Sequence, residues 1–133
     1  MDPRRRNQQW INDGSNVYIE RAAKSRLNVG AQSWAVDFQD IDNDGDLDLL
    51  IANHDVNSQL IKNVNGSYID ITVSAGIVAS GPSLIQVSMK DMDNDGSVDI
   101  LISGKYFKNI GDKSFTELTN PFGFNQTLHW RYQ

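Results

Sequence analysis

The chain has 133 residues, of which 39% are hydrophobic, and this is enough for one domain with a modest core. No apolar run approaches the roughly 20 residues that span a bilayer. Polar residues follow the basic residues 4–6, where a secretory signal would be apolar. Cysteine is absent, which excludes disulfides, zinc–thiolate sites and cysteine nucleophiles.

The net charge of −5 is unevenly distributed along the chain. Nine of the 17 acidic residues lie in two short stretches, at residues 40–48 and 91–99, so the rest of the chain has eight acidic residues against 12 basic ones. Two bound divalent cations would reduce the net charge from −5 to −1. The two acidic stretches would repel phosphates, and a nucleic-acid partner is therefore disfavoured.

The first predicted element is an N-terminal half-unit at about residues 8–27. Its pattern returns later in the chain, since Tyr18 and Tyr68 are 50 residues apart, and so are Leu27 and Ile77. Residues 21–27 and 73–78 have some helical character, and we expect both to connect one unit to the next.

The first complete unit spans about residues 32–77. Residues 34–39 alternate between apolar and polar, which predicts a half-buried strand, and the aliphatic residues 47–52 predict a strand that is buried on both faces. The acidic stretch 40–48 lies between these strands. Asn65 and Gly66 are typical of a hairpin turn between two further strands. We expect Asp37 to hydrogen-bond within this unit or to add to its acidic site.

The second unit, at about residues 83–120, repeats the first at an offset of 51 residues: the pattern D-x-D-N-D-G-x-x-D occurs at 40–48 and again at 91–99. Residues 121–133 form a C-terminal tail. Each unit is predicted to contain four antiparallel strands in about 50 residues, which is the size of a propeller blade. The sequence therefore predicts an all-β fold: one partial β-propeller segment of about two and a half four-stranded blades, with the acidic loops in the inner hairpins.

The acidic loops have the chemistry of a site for a hard cation. Aspartates at alternate positions of a tight loop repel one another unless a cation lies between them, and calcium accepts six to eight oxygen ligands in irregular geometry. Gly45 and Gly96 are expected to allow the sharp turn. A solvated turn is the alternative for one isolated copy, but the complete pattern occurs twice in register. An EF-hand would need flanking helices and an oxygen ligand at loop position 12, which is Ile51 or Ile102 here.

Residues 36–49, together with residues 63–77 downstream, resemble the FG-GAP/VCBS repeat, and the resemblance covers about residues 10–119. It implies blades of a calcium-bearing β-propeller, as in the integrin α-subunit head and many exported bacterial proteins. It also implies two Ca²⁺ sites, one in each acidic loop. The implied ligands are the carboxylates of Asp40, Asp42, Asp44 and Asp48 with the carbonyl of Asp46, and the carboxylates of Asp91, Asp93, Asp95 and Asp99 with the carbonyl of Ser97.

The number of units departs from that family, because two complete blades cannot close a ring. Such a segment would leave unpaired strand edges and an exposed apolar face. We therefore expect a fragment of a larger propeller, a truncated chain, or a protomer that completes a ring with copies of itself. Residues 10–20 could then pair with residues 127–132 of the same or another chain.

The remaining candidate residues are expected to be structural. Trp10, Trp34 and Trp130 could stack on sugars, but packing in the core or against a blade face is the preferred interpretation. His54 and His129 have no companion at metal-binding spacing. The motifs of serine hydrolases, zinc proteases and P-loop proteins are absent from the sequence, so an enzyme is not expected.

We therefore expect a non-enzymatic, calcium-binding repeat module for protein or carbohydrate binding or adhesion. Millimolar calcium outside the cell would fill even weak sites, which favours an extracellular, periplasmic or cell-surface location. One alternative is an accessory propeller part of a larger enzyme that acts on polysaccharides or lipids. Another is a calcium sensor, against which the missing glutamate at loop position 12 argues.

Overall fold

A computed structural model describes residues 6–77, 86–102 and 104–119. This part of the chain is all-β apart from one four-residue helix, α1 (Ala22–Ser25). The strands are β1 (Trp10–Asn12), β2 (Tyr18–Glu20), β3 (Ser33–Gln39), β4 (Asp48–Asn53), β5 (Gln59–Val64), β6 (Ser67–Asp70), β7 (Val87–Lys90), β8 (Asp99–Ile102), β9 (Lys105–Asn109) and β10 (Phe115–Leu118).

The strands form three antiparallel sheets in which each strand pairs with its neighbour in the chain. Strands β1 and β2 make a two-stranded sheet, β3 to β6 make the first four-stranded sheet, and β7 to β10 make the second. Asn65 and Gly66, with φ of 52° and 84°, form the tight turn between β5 and β6. The all-β class and the four-stranded antiparallel units are confirmed, and this arrangement fits a β-propeller-like fold. The number of blades and the unit boundaries remain predictions.

The central strand β4 of the first four-stranded sheet is buried on both faces. On one face, Leu49 and Ile51 of β4 pack against Leu27, which lies just after α1. On the other face, Leu50 of β4 packs in the main core, which the second sheet completes with Met89, Ile100, Ile102, Phe107 and Phe115. All six residues of β4 are buried, as the aliphatic sequence predicts.

Polar contacts also join the two four-stranded sheets. Asp37 Oδ2 on β3 accepts a hydrogen bond from the backbone N–H of Met89 on β7, at 2.7 Å. The expected bond within the unit is also present, because Asp37 Oδ1 accepts a hydrogen bond from the N–H of Phe38 at 2.9 Å. The bond between the units was not predicted, and it forms because sheet packing brings the edge strand β7 against β3. The Phe115 N–H donates to the carbonyl of Ala75 at 2.8 Å and ties β10 to the segment that follows β6.

Several large apolar side chains are exposed on β1 and on the edge strand β3. Trp10 and Trp34 are 56% and 55% exposed, so neither packs in the core of the described part, and packing against a blade face stays a prediction. Trp34 stacks on His54 with ring centroids 5.1 Å apart. Val36 and Phe38 share its face of β3 and are also exposed.

Other expectations concern the connections and the C-terminal tail. The connection at 21–27 contains α1, whereas residues 72–76 form turns and no helix. The predicted pairing of residues 10–20 with residues 127–132, and the roles of Trp130 and His129, lie outside the described residues. Within the described ranges, no helix has the length and hydropathy needed to cross a bilayer.

Candidate metal centre

The two acidic loops occupy equivalent places, one between β3 and β4 and the other between β7 and β8. Their backbones follow the same path: Asn43 and Asn94 have φ of 57° and 59°, and Gly45 and Gly96 both have φ of 89°. Positive φ is cheapest for glycine, and asparagine tolerates it better than most residues. The D-N-D-G sequence therefore builds this loop locally, and strands rather than the helices of an EF-hand flank it.

The first aspartate of each loop holds the loop in its curved shape. Asp40 Oδ1 and Oδ2 accept hydrogen bonds from the backbone N–H groups of Asp44 and Gly45, at 3.1 and 2.9 Å. Asp91 makes the matching bonds with the N–H groups of Asp95 and Gly96, at 3.2 and 3.0 Å. These bonds turn the chain back on itself, so the carboxylates of the loop converge.

The last aspartate of each loop is fully buried and joins the loop to the sheet. Asp48 accepts hydrogen bonds from the N–H of Ile41 at 3.0 Å and from the N–H of Asn63 on β5 at 2.7 Å. Burial raises the pKa of Asp48 above its ordinary value, although both backbone bonds oppose the rise.

Asp99 is the counterpart of Asp48 in the second unit. It accepts hydrogen bonds from the N–H groups of Met92 and Asn109, at 3.2 and 2.9 Å, and from the Tyr106 hydroxyl at 2.8 Å. Burial and the bond to Asp99 raise the pKa of Tyr106. Each buried aspartate thus closes its loop and anchors the third strand of the same unit.

The carboxylates of each loop converge in a trio. Asp40, Asp42 and Asp48 each place a carboxylate oxygen within 4.8 Å of the others, and Asp91, Asp93 and Asp99 do the same. Among the described residues, Oδ1 of Asp42 is buried without a hydrogen-bond partner. An all-oxygen donor set with one unsatisfied buried carboxylate oxygen fits a hard divalent cation such as Ca²⁺.

The other predicted ligands lie at the edge of these trios. Asp44 Oδ1 accepts a hydrogen bond from the N–H of Asp46, at 3.0 Å, and Asp95 accepts the equivalent bond from Ser97, at 2.9 Å. The Asp46 carboxylate accepts a bond from the N–H of Asn65 at 2.8 Å, so its side chain supports the β5–β6 turn. The side chain of Asp46 therefore has a structural role of its own.

Two lysines at the loops were missed by the sequence interpretation. Lys62 Nζ on β5 contacts Asp42 and lies 2.7 Å from Asp44 Oδ2, and Lys108 Nζ on β9 contacts Asp93 and lies 2.7 Å from Asp95 Oδ2. The available signal was the Lys-Asn pair, which occurs after the acidic loop in both units, at 62–63 and 108–109.

These ion pairs dominate the electrostatics of the loops. Burial by itself lowers the pKa of Lys62, but the pairs with Asp42 and Asp44 outweigh it, so that the pKa is raised. The bond from Lys62 lowers the pKa of Asp44, and in the second loop the bond from Lys108 lowers the pKa of Asp95. The lysines therefore favour the ionised form of Asp44 and Asp95.

The second unit also reaches the first loop. Lys113 Nζ lies 3.2 Å from Asp42 Oδ2, and Asn109 Nδ2 donates to the carbonyl of Ile41 at 3.3 Å. A cleft of about 590 Å³ lies between the units here and is lined by residues of the first loop and of the β9–β10 turn. The first acidic loop is thus part of the contact between the two sheets.

Two four-stranded antiparallel sheets, each with the same acidic loop in its first hairpin, define a β-propeller-like repeat module. Residues 40–102 match the sequence model of the FG-GAP-like repeat family. This match confirms the resemblance to FG-GAP repeats that the sequence indicated for this part of the chain. No curated protein matches the chain.

Proposed function

We propose that this protein is a non-enzymatic, calcium-stabilised β-propeller repeat module that binds a protein or carbohydrate partner in an extracellular, periplasmic or cell-surface setting. The observation that carries the proposal is the pair of equivalent carboxylate trios, each in the first hairpin of a four-stranded sheet. Extracellular calcium modules bind with dissociation constants of about 0.1–1 mM, and calcium outside the cell is abundant enough to fill such sites.

Calcium would act here as a structural ion. The residues that would hold it are the trio aspartates, supported by Asp44 and Asp95 and by the carbonyls of Asp46 and Ser97. A bound ion would neutralise the repulsion among these carboxylates. Because the buried Asp48 and Asp99 also anchor β5 and β9, an ion at either trio would fix the loop relative to three strands of its sheet.

The exposed apolar face supports a role as part of a larger assembly. Trp34, Val36 and Phe38 form a contiguous apolar stripe on β3, beside a groove that Leu27, Leu49 and other residues line. Exposed apolar surface of this kind is typical of interaction sites. We propose that the remainder of a larger propeller, or a second copy of this chain, covers this stripe, and that the ligand binds elsewhere.

The test is the calcium dependence of stability. For one site, calcium at a hundredfold excess over its dissociation constant raises the free energy of unfolding by about 2.7 kcal/mol. Urea unfolding of the parent chain, measured in EDTA and again in calcium, should show a rise of this size for each filled site. An identical unfolding midpoint in both conditions would refute the structural role of calcium.

Two variants and one control test whether the calcium stabilisation comes from the acidic loops. Asp42→Asn and Asp93→Asn each remove one carboxylate charge from one trio, so each should lose the calcium stabilisation of its own loop. Asp13→Asn is the control, because Asp13 is an acidic residue in the β1–β2 turn whose carboxylate bonds Ser15. It should keep the calcium response of the parent, and a response lost equally in all three variants would mean that the ion binds non-specifically.

A further inference from the structure

Each acidic loop already holds a cation of the protein itself, the ammonium group of a lysine. We propose that Lys62 and Lys108 are internal counter-cations that compete with a divalent ion for the loop carboxylates and thereby set the ion affinity of each loop. This inference rests on the proposed calcium function and adds the residues that regulate it.

Backbone hydrogen bonds next to each lysine hold it beside its acidic loop. Lys62 precedes Asn63, whose N–H donates to Asp48, and Lys108 precedes Asn109, whose N–H donates to Asp99. The buried aspartate therefore fixes the strand that carries the lysine. The same arrangement occurs in both units, as expected if the lysine is a feature of the repeat itself.

The lysine and the ion would share a carboxylate. Asp42 belongs to the first trio and also contacts Lys62, and Asp93 has both roles in the second loop. A divalent ion at the trio would lie close to the ammonium group, where like charges repel. Oδ1 of Asp42, which is buried and without a partner in the described part, is the oxygen that an ion could contact before Lys62 moves.

The two loops differ in how firmly the lysine is held. The Lys62 side chain is 10% exposed and that of Lys108 is 30% exposed, so solvent screens the Lys62 pairs less. Lys113, which also lies beside Asp42, is more exposed than either lysine, so solvent screens its charge more. Removing the charge of Lys62 should therefore change ion affinity more than removing that of Lys108.

The experiment measures calcium binding to the full chain by isothermal titration calorimetry after removal of residual metal. In Lys62→Met, which keeps an unbranched side chain and removes the charge, the first site should bind calcium about tenfold more tightly, equivalent to about 1.4 kcal/mol. Lys108→Met should show a smaller gain at the second site. Calcium affinity that is unchanged or weaker in both variants would overturn the inference.

Two controls separate charge from structure. Lys62→Arg keeps the charge and should retain the parent affinity. Lys105→Met removes a lysine of β9 that pairs with Glu117 at 3.2 Å, away from the loops, and should also leave the affinity unchanged. Equal gains in Lys62→Met and Lys105→Met would reflect net charge alone and would overturn the inference. Circular dichroism checks the fold of each variant, and Lys108→Met decides the question if Lys62→Met does not fold in EDTA.

The outcomes also separate this inference from the proposed function. If the parent chain binds calcium and the methionine variants bind it equally well, only the inference fails. If the parent binds none and the variants do, the lysines occupy the sites and only the proposed calcium function of the native chain fails. If no form of the chain binds calcium, both fail.

Discussion

The close approach of Gly76 to Phe115 provides a sharp test of how the two four-stranded sheets pack. Gly76 has φ of +79°, and a Cβ added there would lie 2.7 Å from the carbonyl oxygen of Phe115. Substitution by alanine therefore imposes two costs, a left-handed backbone and a collision with β10. Gly66 has φ of +84°, and a Cβ added there would meet no atom within 4 Å. It is therefore a matched control, in which alanine imposes the backbone strain without the collision.

The expected loss in the free energy of unfolding follows from the backbone strain and the collision. A left-handed conformation costs an L-residue about 1–2 kcal/mol, which is the expected loss for Gly66→Ala. In Gly76→Ala the strand β10 must also move away, which endangers the 2.8 Å bond from the Phe115 N–H to the carbonyl of Ala75. A buried backbone group that loses its partner costs a further 1–3 kcal/mol, roughly. Gly76→Ala should therefore lose about 2–5 kcal/mol in total.

Urea unfolding at 25 °C in EDTA measures both variants without any contribution from calcium. The free energy of unfolding is taken from the midpoint and the slope of the transition, and the slopes should agree between variants. Gly76→Ala should be less stable than Gly66→Ala by at least about 1 kcal/mol. Equal stability of the two variants would show that Gly76 and Phe115 are not in contact, and the packing of the second sheet on the first would then be wrong.

Two further predictions concern single carboxylates outside the trios. Asp37→Ala removes the acceptor of the Met89 N–H, so urea unfolding should show a loss of about 1–3 kcal/mol, and stability equal to the parent would refute the contact between β3 and β7. For Asp70, burial alone would raise the pKa, but the bonds from Thr72 and Gln59 outweigh it and lower the pKa below 3.8. The lowered pKa contributes stability that is present above pH 3.8 and is lost as the pH falls through the folded value. Thermal unfolding from pH 7 to pH 2.5 should show the stability of the parent converging on that of Asp70→Asn, and a constant gap would contradict this assignment.

The acidic loops could be predicted from the sequence because their shape depends on near neighbours. The bonds of Asp40 to the N–H groups of Asp44 and Gly45 span only four and five residues. The positive φ of Gly45 is likewise a local preference of glycine. The tight turn at Asn65 and Gly66 belongs to the same class, since two adjacent residues determine it. Repetition of the nine-residue pattern then identified two equivalent units.

The contacts missed from the sequence join residues that are distant along the chain. Lys62 meets Asp42 across 20 positions, and Asp37 meets Met89 across 52. From the sequence alone, a lysine on a predicted strand is as easily interpreted as a solvated side chain as a partner of the acidic loop. Only the register of β4 on β5 brings Lys62 over the loop.

The exposure of Trp34 also could not be predicted from the neighbouring residues in the sequence. Alternating apolar residues predict that one face of β3 is suited to burial, and the pattern is the same whether or not something covers that face. The sequence by itself determined the all-β class, the repeated acidic loops and the turns, because short-range sterics and hydrogen bonds specify each of them. Tertiary structure alone decided which lysine lies on each acidic loop, which side chains join the sheets and which face of β3 is exposed in the described part of the chain, because these depend on how surfaces far apart in the chain pack together.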